Sequence, residues 1–245
     1  MKKIILLLAF CLSVGNLFAQ DANADKLREE GDAAMTAKNY PEVVAKYSEY
    51  LKLTNYEDES RIFNCAFAAY NAKKYDDAIK FYDMAIQKGY KADDAYVGKA
   101  MSLRSQDKAA DFTATVEAGL KANAQNANLE KLLYAYCMKK GQAAQKAGKT
   151  EEAEENFKKV IPLNHKTYKT NALYSLGVLC YNDGANILKK AAPLANSDAD
   201  KYAAEKEKAD ARFKEAVDYL EEAAKISPEN ANVKKMLPQV KAAMK

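Results

Sequence analysis

Small and apolar residues recur along this chain at an interval of about 34 residues. In each copy a small residue is followed by larger apolar or small residues after 12, 16 and 19 positions. Spacings of three, four and seven residues place side chains on one side of an α-helix, so the pattern predicts pairs of amphipathic helices. A hairpin of this size buries its apolar face only against the next copy, which predicts a stack of hairpins. The copies begin at Gly31, Ala66, Ala100, Gly141 and Gly177.

Turn residues separate the predicted hairpins, and no alternating strand pattern persists for long. Pro41 follows Asn39-Tyr40 and suits the first turn of a second helix, where its missing N–H is not needed. The predicted fold class is therefore all-α, an α-solenoid of about five hairpins with a C-terminal capping helix. The predicted hairpins span about 24–57, 59–92, 93–126, 128–166 and 168–229, and the capping helix spans 230–245.

Two departures from the regular interval predict longer helices. The step from Ala100 to Gly141 is 41 residues, seven more than the previous one, which predicts a single helix lengthened by about two turns over Asn128–Ala147. Gly177 has its partner Ala216 after 39 residues instead of 12, an insertion of 27. We expect this insertion, over 185–212, to lengthen both helices of the last hairpin by ~13 residues each. A disordered loop is the alternative.

Two smaller features complete the reading of the C-terminal half. Ser197 or Asp198 is expected to cap the second long helix. Pro238 lies within the predicted capping helix, and we expect it to kink or end that helix.

The first nineteen residues have the pattern of a secretory signal peptide. Lys2 and Lys3 precede an almost wholly apolar run from Ile4 to Leu17, and Ala19 supplies a small residue at the cleavage point. The protein is therefore expected to be exported to the periplasm, with outer-membrane association as an open option. Two alternatives remain. One is an uncleaved anchor, and the other is lipidation at Cys11, which bulky Phe10 and the continuing apolar run disfavour.

Charge and cysteine content narrow the classes of partner. The net charge of +4 falls to +2 without Lys2 and Lys3, since residues 1–19 contain no acid. Charges of both signs are interleaved, which argues against nucleic acid as a ligand. Beyond the signal region no second apolar stretch is long enough to span a membrane. Cys65, Cys137 and Cys180 lie on apolar stripes, so we expect buried, unreactive thiols.

The sequence offers no catalytic or metal-binding constellation. His165 is the only histidine and is expected in an exposed loop between hairpins. The glycines at 141–148 lie within a helical pattern without a preceding strand, so they do not form a phosphate-binding loop. We read the acidic cluster at 151–155 as a helix start, where carboxylates favour the positive end of the dipole. No enzymatic activity, cofactor or metal is predicted.

The residues resemble the tetratricopeptide repeat (TPR) family over roughly 24–229. The closest segment is Ile62–Ile86, which ends Ala-Lys-Lys-Tyr-Asp-Asp-Ala-Ile-Lys-Phe-Tyr-Asp-Met-Ala-Ile. Tryptophan is absent, and Lys108-Ala109-Ala110 replaces the aromatic turn residue usual in the family. The resemblance implies a right-handed superhelix, and together with the predicted signal peptide it indicates an exported bacterial TPR protein. It also implies that the first helix of each hairpin lines a concave groove that receives a peptide or helix.

Carried over position by position, the resemblance assigns a groove in each hairpin. The residues expected to bind the partner are Phe63, Phe67, Tyr70 and Asn71 in the second hairpin, Val97, Met101 and Arg104 in the third, and Tyr174, Val178, Tyr181 and Asn182 in the fifth. The first hairpin adds Arg28, Asp32 and Met35, and the fourth adds Met138, Gln142, Gln145 and Lys146. The alternative is that some of these side chains pack against a neighbouring hairpin.

The expected groove is aromatic and apolar. The positions that form a carboxylate clamp in chaperone-binding members carry Asp32, Phe63, Phe67 and Asp94 here, so that clamp is missing. An apolar or aromatic anchor of a protein partner fits such a surface. The leading hypothesis is a non-enzymatic interaction scaffold of the bacterial cell envelope. The alternatives are an accessory factor for outer-membrane assembly or secretion, and a small-molecule or glycan binder.

Overall fold

In a computed structural model, the structure describes residues 21–244. The predicted signal peptide and the lipidation alternative at Cys11 lie outside the described residues. Within 21–244 every regular element is a helix, which confirms the all-α fold class. The helices are α1 (21–36), α2 (Tyr40–Leu53), α3 (Glu59–Asn71), α4 (Tyr75–Lys88), α5 (Ala92–Ser105), α6 (Ala109–Ala122), α7 (Ala127–Lys146), α8 (Thr150–Lys158), α9 (Lys166–Ala191), α10 (Leu194–Ser197), α11 (Ala199–Ile226) and α12 (Ala231–Ala243).

In the copies that open with glycine, the glycine makes room for a large apolar side chain on the second helix. A Cβ on Gly31 would lie 2.4 Å from the ring of Tyr47, sixteen residues further along the chain. Gly141 stands in the same relation to Phe157, at 2.5 Å. Since a carbon atom cannot approach a ring this closely, any larger residue would force the two helices apart. The repeat pattern therefore records the contact that closes each hairpin.

The turn inside each of the first four hairpins uses one backbone conformation. Lys38, Lys73 and Asp107 have φ between 57° and 59°, and Gly148 has φ 72°. Each lies seven residues after the small residue of its copy. A single left-handed residue ends the first helix and redirects the chain into the second.

Helices α1–α6 belong to a first compact unit that ends at Asn126. Consecutive helices from α2 to α6 pack against one another, and α3 also contacts α5. The core of this unit is a continuous apolar cluster that includes Val43, Leu51, Ile62 and Phe81. Stacking of three hairpins thus buries the apolar stripe of each, as the period predicted.

Helices α7–α12 belong to a second compact unit that begins at Ala127. The twenty-residue α7 matches the predicted lengthened helix. The inserted segment is helical on both sides of its turn, since α9 has 26 residues and α11 has 28, and the two pack along each other. The carboxylate of Asp198 caps α11 by accepting a hydrogen bond of 3.1 Å from the Lys201 N–H.

Pro238 does not end the last helix. Helix α12 continues through it to Ala243, so that part of the sequence prediction is wrong. Val233 and Val240 on either side of it are buried against α9 and α11, and this packing holds the helix together across the residue that lacks an N–H. No helix within 21–244 combines the length and the hydropathy required to cross a membrane.

Candidate functional site

Seven of the predicted groove residues lie in the first unit, on α3 and α5. Their spacing of four and then three or four residues places them on one side of each helix. The two sets are 34 residues apart, so they occupy equivalent positions of consecutive, contacting hairpins and face the same way. We call this surface the α3–α5 face. It consists of Phe63, Phe67, Tyr70, Asn71, Val97, Met101 and Arg104.

The side chain of Phe63 packs against other residues of the first unit. Its ring makes edge contacts with Tyr82 at 5.8 Å and Tyr90 at 6.3 Å between centroids. The Lys91 ammonium lies over it, 5.1 Å from the ring centre. With neighbours on several sides, Phe63 shapes the face and offers a partner only part of its surface.

Phe67 is the open part of this face. Its side chain is 42% exposed, which among the described large apolar residues only Met244 equals. Tyr40 supports it from one side, with ring centroids 6.0 Å apart at 80°. Tyr70, one turn further on, is half-buried and its ring packs against that of Tyr75, with ring centroids 5.9 Å apart. An exposed, laterally supported ring is a suitable anchor point for an apolar group.

Polar groups border the exposed ring. The Asn71 amide donates a hydrogen bond of 2.8 Å to the Phe67 carbonyl, which leaves its side-chain oxygen available as an acceptor. Val97 and Met101 are half-buried on α5, and Arg104 is exposed beyond them. Among residues 21–244 the Arg104 guanidinium has no hydrogen bond or ion pair. The face therefore combines apolar surface with an uncompensated positive charge.

Asp32, a predicted groove residue of α1, is engaged within the chain. Its carboxylate accepts hydrogen bonds from the Tyr47 hydroxyl at 2.5 Å and from the Arg61 guanidinium at 2.7 Å. Burial alone would raise the pKa of Asp32, but the hydrogen bonds from Arg61 and Tyr47 outweigh it and hold that pKa below the ordinary value. A carboxylate paired in this way ties α1 to α2 and α3 and is not free for a partner.

The residues predicted for the fourth and fifth hairpins lie in the second unit, on α7 and α9, which contact each other. Tyr174 and Tyr181 are half-buried against the clusters formed with α11 and α12, and Tyr181 lies 5.7 Å from Phe213. These two tyrosines therefore serve packing to a greater extent than expected. Val178 is half-buried and Asn182 is exposed on the same helix. On α7, Met138 is buried, Gln145 is half-buried, and Gln142 and Lys146 are exposed.

The second unit contains an aromatic stack that the sequence did not predict. Tyr134 and Tyr168 stack in parallel at 4.1 Å, and His165 stacks on the other side of Tyr168 at 3.9 Å. The Tyr134 hydroxyl also accepts a hydrogen bond of 2.9 Å from the Asn171 amide. His165 is exposed as expected, but it precedes α9 directly and is held by this stack. Tyr134 lies four residues before Met138 on the same side of α7, and this spacing could have indicated from the sequence that Tyr134 belongs to the same surface.

A pocket of about 620 Å³ opens beside this side of α7 and α9. Its lining is mostly polar and neutral, with Gln145, Asn182 and Asn186 among its carboxamides and Thr150 as a hydroxyl. Asp183 and Lys190 add one charge of each sign to the lining. Such a lining can donate and accept hydrogen bonds without a strong preference for charge.

Arg212 occupies the centre of the acidic cluster of the second unit. Its guanidinium pairs with Glu154 on α8, with Asp183 on α9 at 2.8 Å, and with Glu215 on α11. Glu154 and Glu215 approach Cys180 closely enough to share a metal ion, but both are paired with Arg212, and Glu154 is also paired with Lys158. The cluster therefore joins three helices by ion pairs. For Glu154 this replaces the interpretation as a helix-start residue, which holds for Glu151 and Glu152.

All three cysteines of the described chain are buried and form no disulfide, which confirms their predicted packing role. Burial raises the pKa of the Cys65 thiol to about 12, and it does the same for Cys180. Because the thiolate is the reactive form, thiols with such pKa values are inert at neutral pH.

Comparisons with known structures identify the fold. The chain is similar to a TPR repeats protein from Bacteroides fragilis NCTC 9343, with 49% identity and a TM-score of 0.86 over 90% of this chain and 98% of that one. The TPR domain of P58(IPK) matches 93% of this chain with 67% of its own, at 11% identity and a TM-score of 0.46. The MamA protein matches 84% of this chain with 96% of its own length, at 15% sequence identity and a TM-score of 0.42. Protein-family models and curated proteins give no match.

The first of these comparisons agrees with the sequence pattern in detail. The regular copies, the helical hairpins and the large apolar side chain that fits against each repeat glycine all belong to one repeat architecture. At 49% identity over nearly the whole of a solved TPR protein, the chain belongs to the tetratricopeptide repeat family, and its fold is that of the all-α solenoids.

Proposed function

We propose that the chain is a non-enzymatic scaffold that binds a segment of a partner protein on the α3–α5 face. Membership of the TPR family supports a role in protein–protein interaction in general. The observation that carries the more specific proposal is Phe67, a large aromatic ring left 42% exposed on the helix surface where the family receives its partners. Exposed aromatic rings supported by neighbours are typical of interface hot spots.

The surroundings of Phe67 define the chemistry of the partner. An apolar or aromatic side chain would pack on Phe67, and a carboxylate near it would meet the unpaired Arg104. The side-chain oxygen of Asn71 would accept a backbone N–H of the same segment. The proposed ligand is therefore a short segment with an apolar anchor and an acidic group.

Substitution of the anchor tests this proposal. We expect Phe67→Glu to abolish capture of the native partners in crosslinking and pull-down experiments from intact cells, because it places a charge at the anchor point. The matched control is Met244→Glu, which changes a side chain of equal exposure at the end of the chain. If both variants capture the same partners with equal yield and have normal helicity, the α3–α5 face is not the binding site.

The place of action is a second part of the proposal. The pattern of Lys2, Lys3 and the apolar run to Leu17 supports export and a role in the cell envelope of a Gram-negative bacterium. The expected mature N-terminus is Gln20. N-terminal sequencing of the protein from a periplasmic fraction tests cleavage, and its retention on membranes after salt washing tests the alternative of an outer-membrane assembly or secretion factor. A full-length protein in the cytoplasm would contradict export.

The pocket near Gln145 supports a glycan or another polar small molecule as a second candidate ligand. Its carboxamides and the Thr150 hydroxyl match the hydrogen-bonding groups of a sugar. A thermal-shift screen with oligosaccharides tests this candidate, since a ligand that binds only the folded state raises the melting temperature. Loss of the shift in Asn182→Ala would assign the binding to this pocket.

A further inference from the structure

A pocket of about 490 Å³ lies between α4, α5 and α6 in the first unit. Helix α5 contributes Tyr96, Lys99 and Leu103 to it. At about 100° per residue, these three positions are centred about 130° around α5 from Val97, Met101 and Arg104, on a different side of the helix. The pocket is therefore separate from the α3–α5 face, and the proposed function makes no use of it.

The floor of this pocket is apolar. Half-buried Ile79 and Ile86 of α4 and buried Leu103 of α5 line it, and the exposed Ala114 and Ala118 of α6 add further apolar surface to the pocket. Its volume lies within the range of about 300–1,000 Å³ that is usual for ligand sites. A floor of this kind accommodates an aliphatic stem.

The rim of the pocket is charged, with three carboxylates and two ammonium groups. Lys99 pairs with Asp83 at 2.6 Å, and Lys108 with Asp76 at 3.4 Å. The third carboxylate, Asp111, is exposed and has no hydrogen bond or ion pair within 21–244. The rim therefore carries one uncompensated negative charge.

Thr115 presents an unpaired hydroxyl to the same pocket. Its residue is only 6% exposed and lines the pocket, one helical turn from Asp111. No hydrogen bond of its hydroxyl is found among the described residues. By contrast, Thr36, Thr113 and Thr170 donate to the carbonyl four residues earlier. Because the residue is almost entirely buried but lines the pocket, its unpaired hydroxyl is available to a group that enters there.

We propose that this pocket receives an arginine side chain of a partner protein. The aliphatic stem would lie on Ile79, Ile86 and Leu103, and the guanidinium would donate to the Asp111 carboxylate and to the Thr115 hydroxyl oxygen. Arginine fits better than lysine because its planar fork of donors reaches two acceptors at once. The chain would then hold partners on two sides, through an apolar and acidic segment at the α3–α5 face and through a basic residue here.

Titration of the purified full chain followed by ¹⁵N NMR tests the proposal. The probes are the capped tripeptides acetyl-Gly-Arg-Gly-amide and the corresponding lysine, norleucine and glutamate peptides. We expect saturable shifts at Ile79, Leu103 and Thr115 with the arginine peptide, and binding at least about tenfold weaker with norleucine and glutamate. Equal binding of norleucine or glutamate overturns the charge assignment, and equal binding of lysine overturns the choice of arginine. Equal binding of free arginine overturns the docking of a protein.

Variants assign the contacts. Asp111→Asn is expected to weaken binding of the arginine peptide about fivefold. Thr115→Val is also expected to weaken binding, whereas Thr115→Ser keeps the hydroxyl and should bind as the native chain does. Glu117→Gln is the matched control, since it removes an exposed carboxylate of α6 outside the pocket. If Asp111→Asn binds as tightly as the native chain, the proposal is wrong. The Ser variant separates loss of the hydroxyl from loss of fold.

Discussion

The turn of each hairpin depends, at the scale of single residues, on backbone conformation more than on residue type. The left-handed position is lysine twice, aspartate once and glycine once, at Lys38, Lys73, Asp107 and Gly148. A β-carbon makes this conformation unfavourable, so the three non-glycine turns are held by the helices around them. Glycine and aspartate are turn residues that tolerate this conformation, so Gly148 and Asp107 carry a signal in the sequence, whereas lysine carries none of its own.

Gly148 offers a clean measure of this strain. A Cβ added there would meet nothing within 4 Å, so substitution changes only the backbone energy. We expect Gly148→Ala to lower the free energy of unfolding by about 1 kcal/mol, and Gly148→Asn by less. The converse change, Lys73→Gly, is expected to raise it by up to about 1 kcal/mol. Urea denaturation at pH 7 measures all three, and stabilisation by Gly148→Ala would contradict the assignment.

The ion pair of Asp32 predicts a dependence on pH. A lowered pKa means that the folded state favours the ionised carboxylate, so the stabilisation is present above the ordinary pKa near 3.8 and disappears as the pH falls through the folded value. We expect Asp32→Asn to lower the free energy of unfolding at pH 7, and the partial exposure of the group limits the loss to about 1 kcal/mol. In urea denaturation the deficit should shrink as the pH falls through the folded pKa of Asp32. Glu49→Gln, an exposed acid, should show no such change.

The long hairpin of α9 and α11 preserves, at the scale of elements, the register of a normal one. A Cβ on Gly177 would lie 2.6 Å from Leu220, as in the Gly31–Tyr47 pair. Leu220 is 43 residues from Gly177, which is the normal 16 plus the 27 of the insertion. Gly184 stands seven residues after Gly177, where the other copies turn, but here α9 continues through it. The insertion therefore begins where a regular hairpin would have turned.

Deletion of residues 185–211 tests this interpretation. It removes 27 residues, joins Gly184 to Arg212 and restores the spacing of a regular copy, so we expect a cooperatively folded protein with Gly184 in the turn. The matched control deletes 186–211, one residue fewer, and rotates the second helix by about 100°. Circular dichroism and thermal unfolding should show a cooperative transition for the first variant and a strongly destabilised one for the second. Equal behaviour would mean that register does not matter.

At the scale of the whole molecule, the chain consists of two compact units that meet in sequence at Asn126 and Ala127. In repeat proteins each hairpin is stabilised mainly by its neighbours, so the effect of a local change fades with distance along the stack. Each unit also has a predicted binding surface of its own, the α3–α5 face in the first and the sides of α7 and α9 in the second.

A cavity created in one unit should therefore lower the stability mainly of that unit. Leu220 is fully buried against Gly177, and Leu220→Ala should cost about 2–5 kcal/mol of local stability. Hydrogen exchange should then accelerate strongly in α9, α11 and α12 and little in α3 and α4. The matched experiment is Ile62→Ala, a fully buried residue of the first unit, which should give the reverse pattern. Equal acceleration throughout the chain in either variant would mean that it unfolds as a single cooperative unit.

Several of the predicted groove residues illustrate what could not be read from the repeat. Phe63, Tyr174 and Tyr181 occupy binding positions by spacing, but each packs against neighbouring helices. Asp32 is drawn into an ion pair with Arg61, 29 residues away. Spacing along one helix states which side a residue faces, but it contains no information on the length and direction of the side chains opposite.

The sequence by itself determined the helices, their pairing and the lengths of α7, α9 and α11, because helical periodicity and the contact between a small residue and a ring are properties of spacing. The tertiary structure alone decided which aromatic residues remained open, since exposure depends on what neighbouring helices bring to the same place. It left Phe67 and Arg104 free, stacked His165 on Tyr168, and gathered Asp111 and Thr115 around an apolar pocket. The scaffold follows from a local repeat, whereas its specificity follows from contacts between residues far apart in the chain.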